Sequence, residues 1–213
     1  MRFDDIVNDN KHNFDLIIKN CQPYLRQIKN DLMFRGLTIP QDSNAAFGKK
    51  KARLDGREPM DTSPKIHNSL NKHFTEEYGH PYRNGVFTTG DSNIAGKYGD
   101  TMMIFPIGDF EFIWHPEIKD LFQNVYAGDL WFDYYKKTFK LKSLTQADYK
   151  KYYTWRNSIE DSELLNMFPP YQTTGLDAAI QSKGEIMVWC TEYYYLSAGL
   201  REYFLNWVNY GLM

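Results

Sequence analysis

The sequence predicts an α+β fold in a single domain. Its 213 residues are 42% hydrophobic, enough for one sizeable core. Amphipathic segments with helix-capping residues are interspersed with short apolar runs that end at glycine or proline. No internal repeat or change of composition marks a second domain. We therefore expect residues 1–213 to form one unit.

The first third of the chain is predicted to hold helices, one strand and a long loop. Apolar residues from 13 to 30 share a helical face that Pro23 interrupts, so we expect one or two helices. "LMFRGL" is typical of a short buried strand, and "QDSNAAFGKKKARLDGREPMD" of a polar loop. A helix should follow, with Pro64 in its first turn, a capping residue at 61–63 and Gly79 just past its end.

The remaining elements are predicted from apolar patterning and turn residues. "VFTTGDSNIAGKYG" indicates a strand that turns into a capped helix, and "TMMIFPIG" with "FEFIWHP" indicates paired strands. "PEIKDLFQNVY" and "TTGLDAAIQSKG" are typical of helices, "EIMVWCTEYYYLS" of a strand and "LREYFLNWVNY" of a final helix. Residues 128–153 have helix-compatible spacing but give no firm assignment.

Charge and cysteine content narrow the functional classes. A net charge of −2 gives no global attraction for nucleic acid or an anionic membrane. Cys21 and Cys190 are too few and too far apart for a disulfide scaffold or a zinc motif. His67 and His73 lie six residues apart, on different helix faces, so no metal is expected. The N-terminal segment is not typical of a signal peptide or a membrane span, which predicts a cytoplasmic protein and leaves signal-independent secretion open.

Three polar residues fall at or near the ends of predicted strands. They are Arg35 in "MFRGL", Thr88 in "GVFTTGDS" and Glu185 in "KGEIMVW". Taken singly, each has a structural explanation: an edge-strand ion pair, a cap or strand residue, and a helix-exit carboxylate. Side chains at strand ends can also face a cleft, so the set is a candidate site.

In this order, the three pieces resemble the signature of ADP-ribosyltransferases of the toxin-like branch. That signature has an aromatic-Arg-Gly strand, an aromatic-Ser-Thr-Ser strand and a Glu that opens a late strand. The middle motif also resembles the polymerase branch, through Gly85, Ala95 and Tyr98. The resemblance implies split antiparallel sheets with flanking helices, NAD as substrate, and an insertion at about 115–171 that forms a helical region. The whole sequence is also similar to uncharacterised bacteriophage proteins, which would place it in the host cytoplasm.

The resemblance implies catalytic roles for Glu185, Arg35 and Thr88. Cleavage of the bond between nicotinamide and ribose develops an oxocarbenium-like sugar, which a carboxylate stabilises. Glu185 would hold the ribose 2′-hydroxyl and stabilise this cation. The planar fork of Arg35 would hold the diphosphate or brace the adjacent ribose. Gly36, without a Cβ, would let the backbone reach the nicotinamide amide.

The middle motif is implied to form the wall of the nicotinamide pocket. Thr88 would hold Glu185 in position, Phe87 and Thr89 would contact the cofactor, and Tyr98 would stack on the nicotinamide ring. Four features depart from the toxin pattern. Thr88 replaces its first serine, Gly90 replaces its last serine, and Lys183 stands where arginine-modifying toxins have Glu or Gln. Arginine is therefore not implied as the acceptor. The gap from Thr88 to Glu185 is also longer than in minimal toxins, which is why an insertion is expected.

Three functional classes remain open at this stage. The leading one is a mono-ADP-ribosyltransferase that modifies a protein or other acceptor, or an NAD glycohydrolase. The second is a non-catalytic binding or virion-associated protein on the same fold, which would use the aromatic-rich middle region. The third is a nucleic-acid modifier that contacts its substrate through the basic segment from Lys49 to Arg57.

Overall fold

The computed structural model describes residues 3–40, 46–57, 64–121, 129–158 and 170–211. Within these ranges the chain forms seven strands and eight α-helices. The strands are β1 (Phe34–Leu37), β2 (Phe47–Lys51), β3 (Val86–Thr89), β4 (Asp100–Pro106), β5 (Glu111–Trp114), β6 (Glu185–Trp189) and β7 (Glu192–Ser197). The helices are α1 (Phe3–Asn20), α2 (Gln22–Leu25), α3 (Pro64–Tyr78), α4 (Ser92–Gly96), α5 (Asp129–Thr138), α6 (Gln146–Ser158), α7 (Leu176–Ser182) and α8 (Arg201–Gly211).

The strands form a single antiparallel sheet in the order β2-β7-β4-β1-β3-β6-β5. The predicted α+β class is therefore confirmed. β1 pairs with β4 along its whole length, from Phe34 to Leu37, and β3 pairs with β6 from Val86 to Thr89. β1 and β3, by contrast, share one registered pair, Phe34 with Thr89. The sheet thus consists of two well-paired halves joined at a narrow junction.

Apolar clusters cover both faces of the sheet at β5 and β6. Ile186 and Val188 belong to one cluster and Met187 to the other, as expected from the alternation of side chains along a strand. On the first face, Phe204 of α8 packs edge-on against Phe105 of β4, with ring centroids 4.9 Å apart. Burial on both faces explains why β6 is a continuous apolar run.

Several predicted helices are confirmed, with bounds that follow the capping signals. α3 begins at Pro64, and Gly79 follows its end with a φ of +88°, a conformation that glycine adopts without strain. The capping residues expected at 61–63 lie outside the described residues. Asp91 caps α4, since its Oδ1 accepts hydrogen bonds from the backbone N–H groups of Asn93 and Ile94. Pro23 lies in α2, immediately after the break at Cys21.

Three local predictions were wrong, and a fourth was wrong over the first part of its range. "FGKKK" forms the edge strand β2 rather than a loop, because its partner β7 supplies the ladder and Glu192 pairs with Lys49 at 2.7 Å. "EIMVWCTEYYYLS" forms two strands, separated by a bend at Thr191. β4 and β5 do not pair with each other, because each pairs with strands distant in sequence. Of the helix predicted at 116–126, residues 116–120 are not helical, Leu121 is helical, and residues 122–126 lie outside the described part of the chain.

The region expected to be an insertion, about 115–171, contains two α-helices among its described residues. α5 and α6 fall within it, in the segment that the sequence left unassigned. Stacked rings join the two helices, with centroids of Phe132 and Tyr152 4.2 Å apart. That this region is inserted into one domain of residues 1–213 stays a prediction.

Candidate active site

The candidate site begins where β1 and β3 separate. Ile104 N–H donates to Met33 O, so alternation along the β1–β4 ladder turns the N–H and C=O of Gly36 away from β4, towards β3. In a continued β1–β3 ladder, Gly36 would bond to Phe87. Instead, Arg35 Nη1 donates to Phe87 O at 3.2 Å. A guanidinium therefore occupies the position of a backbone donor, and the two strands part.

Gly36 is required by the close approach of α4. A Cβ at this position would lie 2.4 Å from Ala95 O and 2.6 Å from the carbonyl carbon of Tyr98. The space that glycine leaves on this face is therefore filled by the chain itself rather than left open for a ligand. The Tyr98 side chain, predicted to stack on nicotinamide, is 62% exposed. A ligand at Gly36 would have to contact the backbone N–H and C=O of this residue, which point towards β3.

Glu185 stands at the start of β6, at the far side of the junction. Lys183 ends α7 in a left-handed conformation with a φ of +59°, and Glu185 N–H then donates to Lys119 O at 2.9 Å. The Glu185 side chain is 19% exposed, but its Oε1 atom is buried without a hydrogen-bond partner among the described residues. Arg83 Nη1 lies 3.9 Å from this atom.

Burial controls the protonation of Glu185. The net pKa of this carboxyl is raised from 4.5 to about 7, mainly by desolvation and in smaller part by the charge of Asp120. Arg83, Arg57 and the Leu121 backbone N–H act in the opposite direction and lower the pKa. A carboxylate with a pKa near neutrality and a positive neighbour is typical of functional sites and is also found in structural ion pairs.

Three arginines, which we call the arginine cluster (Arg35, Arg57 and Arg83), surround Phe87. The guanidinium carbons of Arg57 and Arg83 lie 4.3 and 5.1 Å from the centroid of the Phe87 ring. Arg57 Nη1 donates to Gly85 O at 2.7 Å. The Arg83 side chain is only 7% exposed. Burial, together with Arg35 and Arg83, lowers the pKa of Arg57 to about 10, while Glu185 raises it.

The structure separates the roles predicted for the two threonines. Thr88 is buried, and its hydroxyl lies 3.2 Å from Ile186 O and 3.3 Å from Met33 Sδ. No hydrogen bond joins it to the Glu185 carboxylate in the described structure. Thr89 is the residue directly opposite Glu185 in the β3–β6 ladder. Its hydroxyl donates to Lys183 O at 3.1 Å, which ties the end of β3 to the segment that enters β6.

Of the predicted site residues, Thr89 lies directly opposite Glu185, and Phe87 lies two residues before Thr89 on the same strand. Arg35 reaches this group through the Phe87 carbonyl, and Arg57 interacts electrostatically with both Arg35 and Glu185. The sequence did not predict Arg83, although it lies three residues before β3 in "YRNGVFTT". The sequence signal that could have identified Arg83 is its position just before the middle motif.

The site offers hydrogen-bond donors, positive charge and one carboxylate. Such a set suits an anionic ligand that also has hydroxyl groups. Among the described residues, no group of three or more His, Cys, Asp or Glu side chains could hold a metal ion. A surface depression of about 760 Å³ lies along α6 and includes Lys150 and Trp155, but it shares no residue with the arginine cluster.

Comparisons with known proteins give no relative. No known family model, curated protein or solved structure matches the chain. In the described residues, no helix has both the length and the apolar character that crossing a bilayer requires.

Proposed function

We propose that the chain is an ADP-ribosyltransferase or NAD glycohydrolase that binds NAD at the junction of β1, β3 and β6. The observation that carries this proposal is the buried carboxylate of Glu185 beside the arginine cluster. The narrow β1–β3 junction supports the finer fold assignment, because it parts the sheet between the Arg35 and Glu185 strands. We further propose that a protein is the acceptor when ADP-ribose is transferred.

Glu185 would supply the negative charge that the reaction requires. When the C1′–N bond breaks, nicotinamide leaves with the bonding electron pair and the ribose develops positive charge. A nearby carboxylate stabilises that charge and accepts a hydrogen bond from the 2′-hydroxyl. Water or an acceptor nucleophile then bonds to C1′ and gives up a proton. Because Glu185 must be ionised, the rate should rise with pH through about 7.

The remaining site residues would bind the substrate rather than react. The backbone N–H and C=O of Gly36 face the gap beside β3 and are complementary to a carboxamide, which has both a donor and an acceptor. Arg35 would contribute charge towards the diphosphate or the adjacent ribose. Thr89 would fix the strand that carries Glu185, the role that the sequence assigned to Thr88.

The test is NAD cleavage by purified protein, with and without cell extract. Nicotinamide release and transfer of labelled ADP-ribose are compared between wild type, Glu185→Gln and Glu202→Gln, whose carboxylate is exposed on α8. We expect Glu185→Gln to lower the rate by about 10²-fold or more, because charge stabilisation in the transition state is lost. Glu202→Gln should retain full activity. Equal activity, or none, in wild type and Glu185→Gln would refute the proposal.

A second candidate function is favoured by the surface of α5 and α6. Tyr149 and Tyr153, four residues apart on α6, and Phe139, which follows α5, are large exposed rings of the kind found on protein-binding surfaces. A non-catalytic binding or virion-associated protein would use this surface and leave the Glu185 region as a structural ion pair. For this function, we expect a protein partner to co-purify with the chain and the melting temperature to stay the same when NAD is added.

A further inference from the structure

Arg35 and Arg57 both donate to the short segment from Gly85 to Phe87, Arg35 to Phe87 O and Arg57 to Gly85 O. Burial is the main cause of the lowered pKa of each guanidinium, and the positive charge of Arg35 also lowers the pKa of Arg57. In the described part of the chain, Glu185 is the one carboxylate whose charge raises the pKa of Arg57. Its own pKa near 7 leaves it only partly ionised at neutral pH. Desolvated like charges are costly for a fold that gains nothing from them.

Both guanidinium groups keep hydrogen-bonding capacity. A guanidinium has five N–H donors. Arg35 Nη1 uses one of them on Phe87 O, while its Nε is buried and has no partner among the described residues. Arg57 Nη1 donates to Gly85 O. An oxyanion beside these groups would satisfy the buried Nε and offset the repulsion.

Phe87 sets the orientation of the Arg57 guanidinium. The 4.3 Å between the guanidinium carbon and the ring centroid is a stacking or cation–π distance, which restricts the side chain before any ligand binds. Arg57 donates to the carbonyl of Gly85, on the same segment as Phe87, so two contacts fix it. A planar fork held in this way is suited to bidentate contact with phosphate oxygens.

We propose that Arg35 and Arg57, beside Arg83, bind the diphosphate group of a small phosphate ester, with Phe87 orienting Arg57 for that contact. The inference rests on the proposed function only in the choice of ligand, because a dinucleotide carries such a diphosphate. It adds Arg57 and Arg83 to the single arginine that the sequence assigned to this task. A diphosphate ester carries two negative charges. It therefore matches a cluster of several arginines better than a ligand with one carboxylate group would.

The experiment measures binding of inorganic pyrophosphate and of ADP-ribose to the full chain by titration calorimetry. Wild type is compared with Arg57→Gln and with Arg26→Gln, which removes an exposed arginine at the end of α2. We expect wild type and Arg26→Gln to bind alike, and Arg57→Gln to bind roughly 10–100-fold more weakly, as for a lost charge-assisted hydrogen bond. Thermal unfolding of each variant checks that it is folded.

Two results would overturn the inference. One is that wild type binds neither ligand at concentrations up to about 10 mM, a range that includes very weak affinity. The other is equal binding by wild type and folded Arg57→Gln. Binding of pyrophosphate but not of ADP-ribose would support an anion site at these arginines and overturn its assignment to a phosphate ester.

NAD cleavage, measured on the same proteins, separates this inference from the proposed function. Arginine-dependent binding without NAD cleavage supports the anion site and refutes the proposed function. NAD cleavage with the same KM in wild type and Arg57→Gln supports the proposed function and overturns the anion site.

Discussion

Replacement of Glu185 by glutamine should change how stability depends on pH. The folded state holds the Glu185 proton up to about pH 7, whereas an unfolded chain releases it near 4.5. The contribution of Glu185 to the free energy of unfolding is therefore fully present below pH 4.5 and is lost as the pH rises through 7. At about 1.4 kcal/mol per pKa unit, the full loss is about 3 kcal/mol, of which about 2.5 kcal/mol falls between pH 5 and pH 8. Glutamine resembles the protonated carboxyl and does not titrate.

The assay is urea unfolding of wild type and Glu185→Gln at several pH values from 5 to 8. We expect the difference in the free energy of unfolding to shift by about 2–3 kcal/mol in favour of Glu185→Gln as pH rises. Burial lowers the pKa of His67 and His115, which makes stability rise with pH. That contribution is common to both proteins and cancels in the difference. Glu202→Gln, at an exposed site, is the control.

A constant difference would refute the reasoning. If wild type and Glu185→Gln differ by the same amount at every pH, to within about 0.5 kcal/mol, the Glu185 carboxyl titrates as an exposed group. The carboxylate would then be hydrated, and neither its raised pKa nor a rate that rises through pH 7 would stand. This test needs no substrate, so it is independent of NAD binding.

Two further predictions concern the elements that support the site. Gly36→Ala should lower the free energy of unfolding by about 1–3 kcal/mol, because its Cβ would overlap Ala95 O, whereas Gly199→Ala meets only ordinary contacts. Equal melting temperatures for these two variants would contradict the close approach of α4. Asp91→Ala should cost about 1 kcal/mol through loss of the α4 cap, measured by urea unfolding against Ser92→Ala. A cost no larger than that of Ser92→Ala would contradict the capping role.

The parts of the fold that were predicted are those set by local pattern. Pro64 and Gly79 mark the two ends of α3, and Gly175 marks the start of α7. The apolar run of β6 reflects burial on both faces of the sheet. β2 was missed because three consecutive lysines and a glycine have no apolar period. Its strand state depends on β7, where Glu192 and Tyr195 supply partners for the lysines. Such tertiary compensation is not encoded within the segment itself.

The candidate site was predicted in part for the same reason. Short motifs identified Arg35 and Glu185, because each lies on or beside a recognisable strand. The sequence did not reveal that Thr89, rather than Thr88, faces Glu185, since that depends on the register between β3 and β6. Arg83 lies in a short 3₁₀ turn without periodicity, so only its three-dimensional approach to Phe87 and Glu185 gives it significance.

The gap between β1 and β3 is best understood as a maintained feature rather than as incomplete pairing. A continued ladder would satisfy Phe87 O with the uncharged N–H of Gly36, whereas the chain uses the desolvated guanidinium of Arg35. That choice is the less stable one, because burial disfavours a charge more than an amide. Conversely, a closed gap would occupy the backbone edge of Gly36 and would displace Arg35 Nη1 from Phe87 O. The proposed diphosphate site would explain why the fold keeps the charged side chain of Arg35 in place of a backbone hydrogen bond.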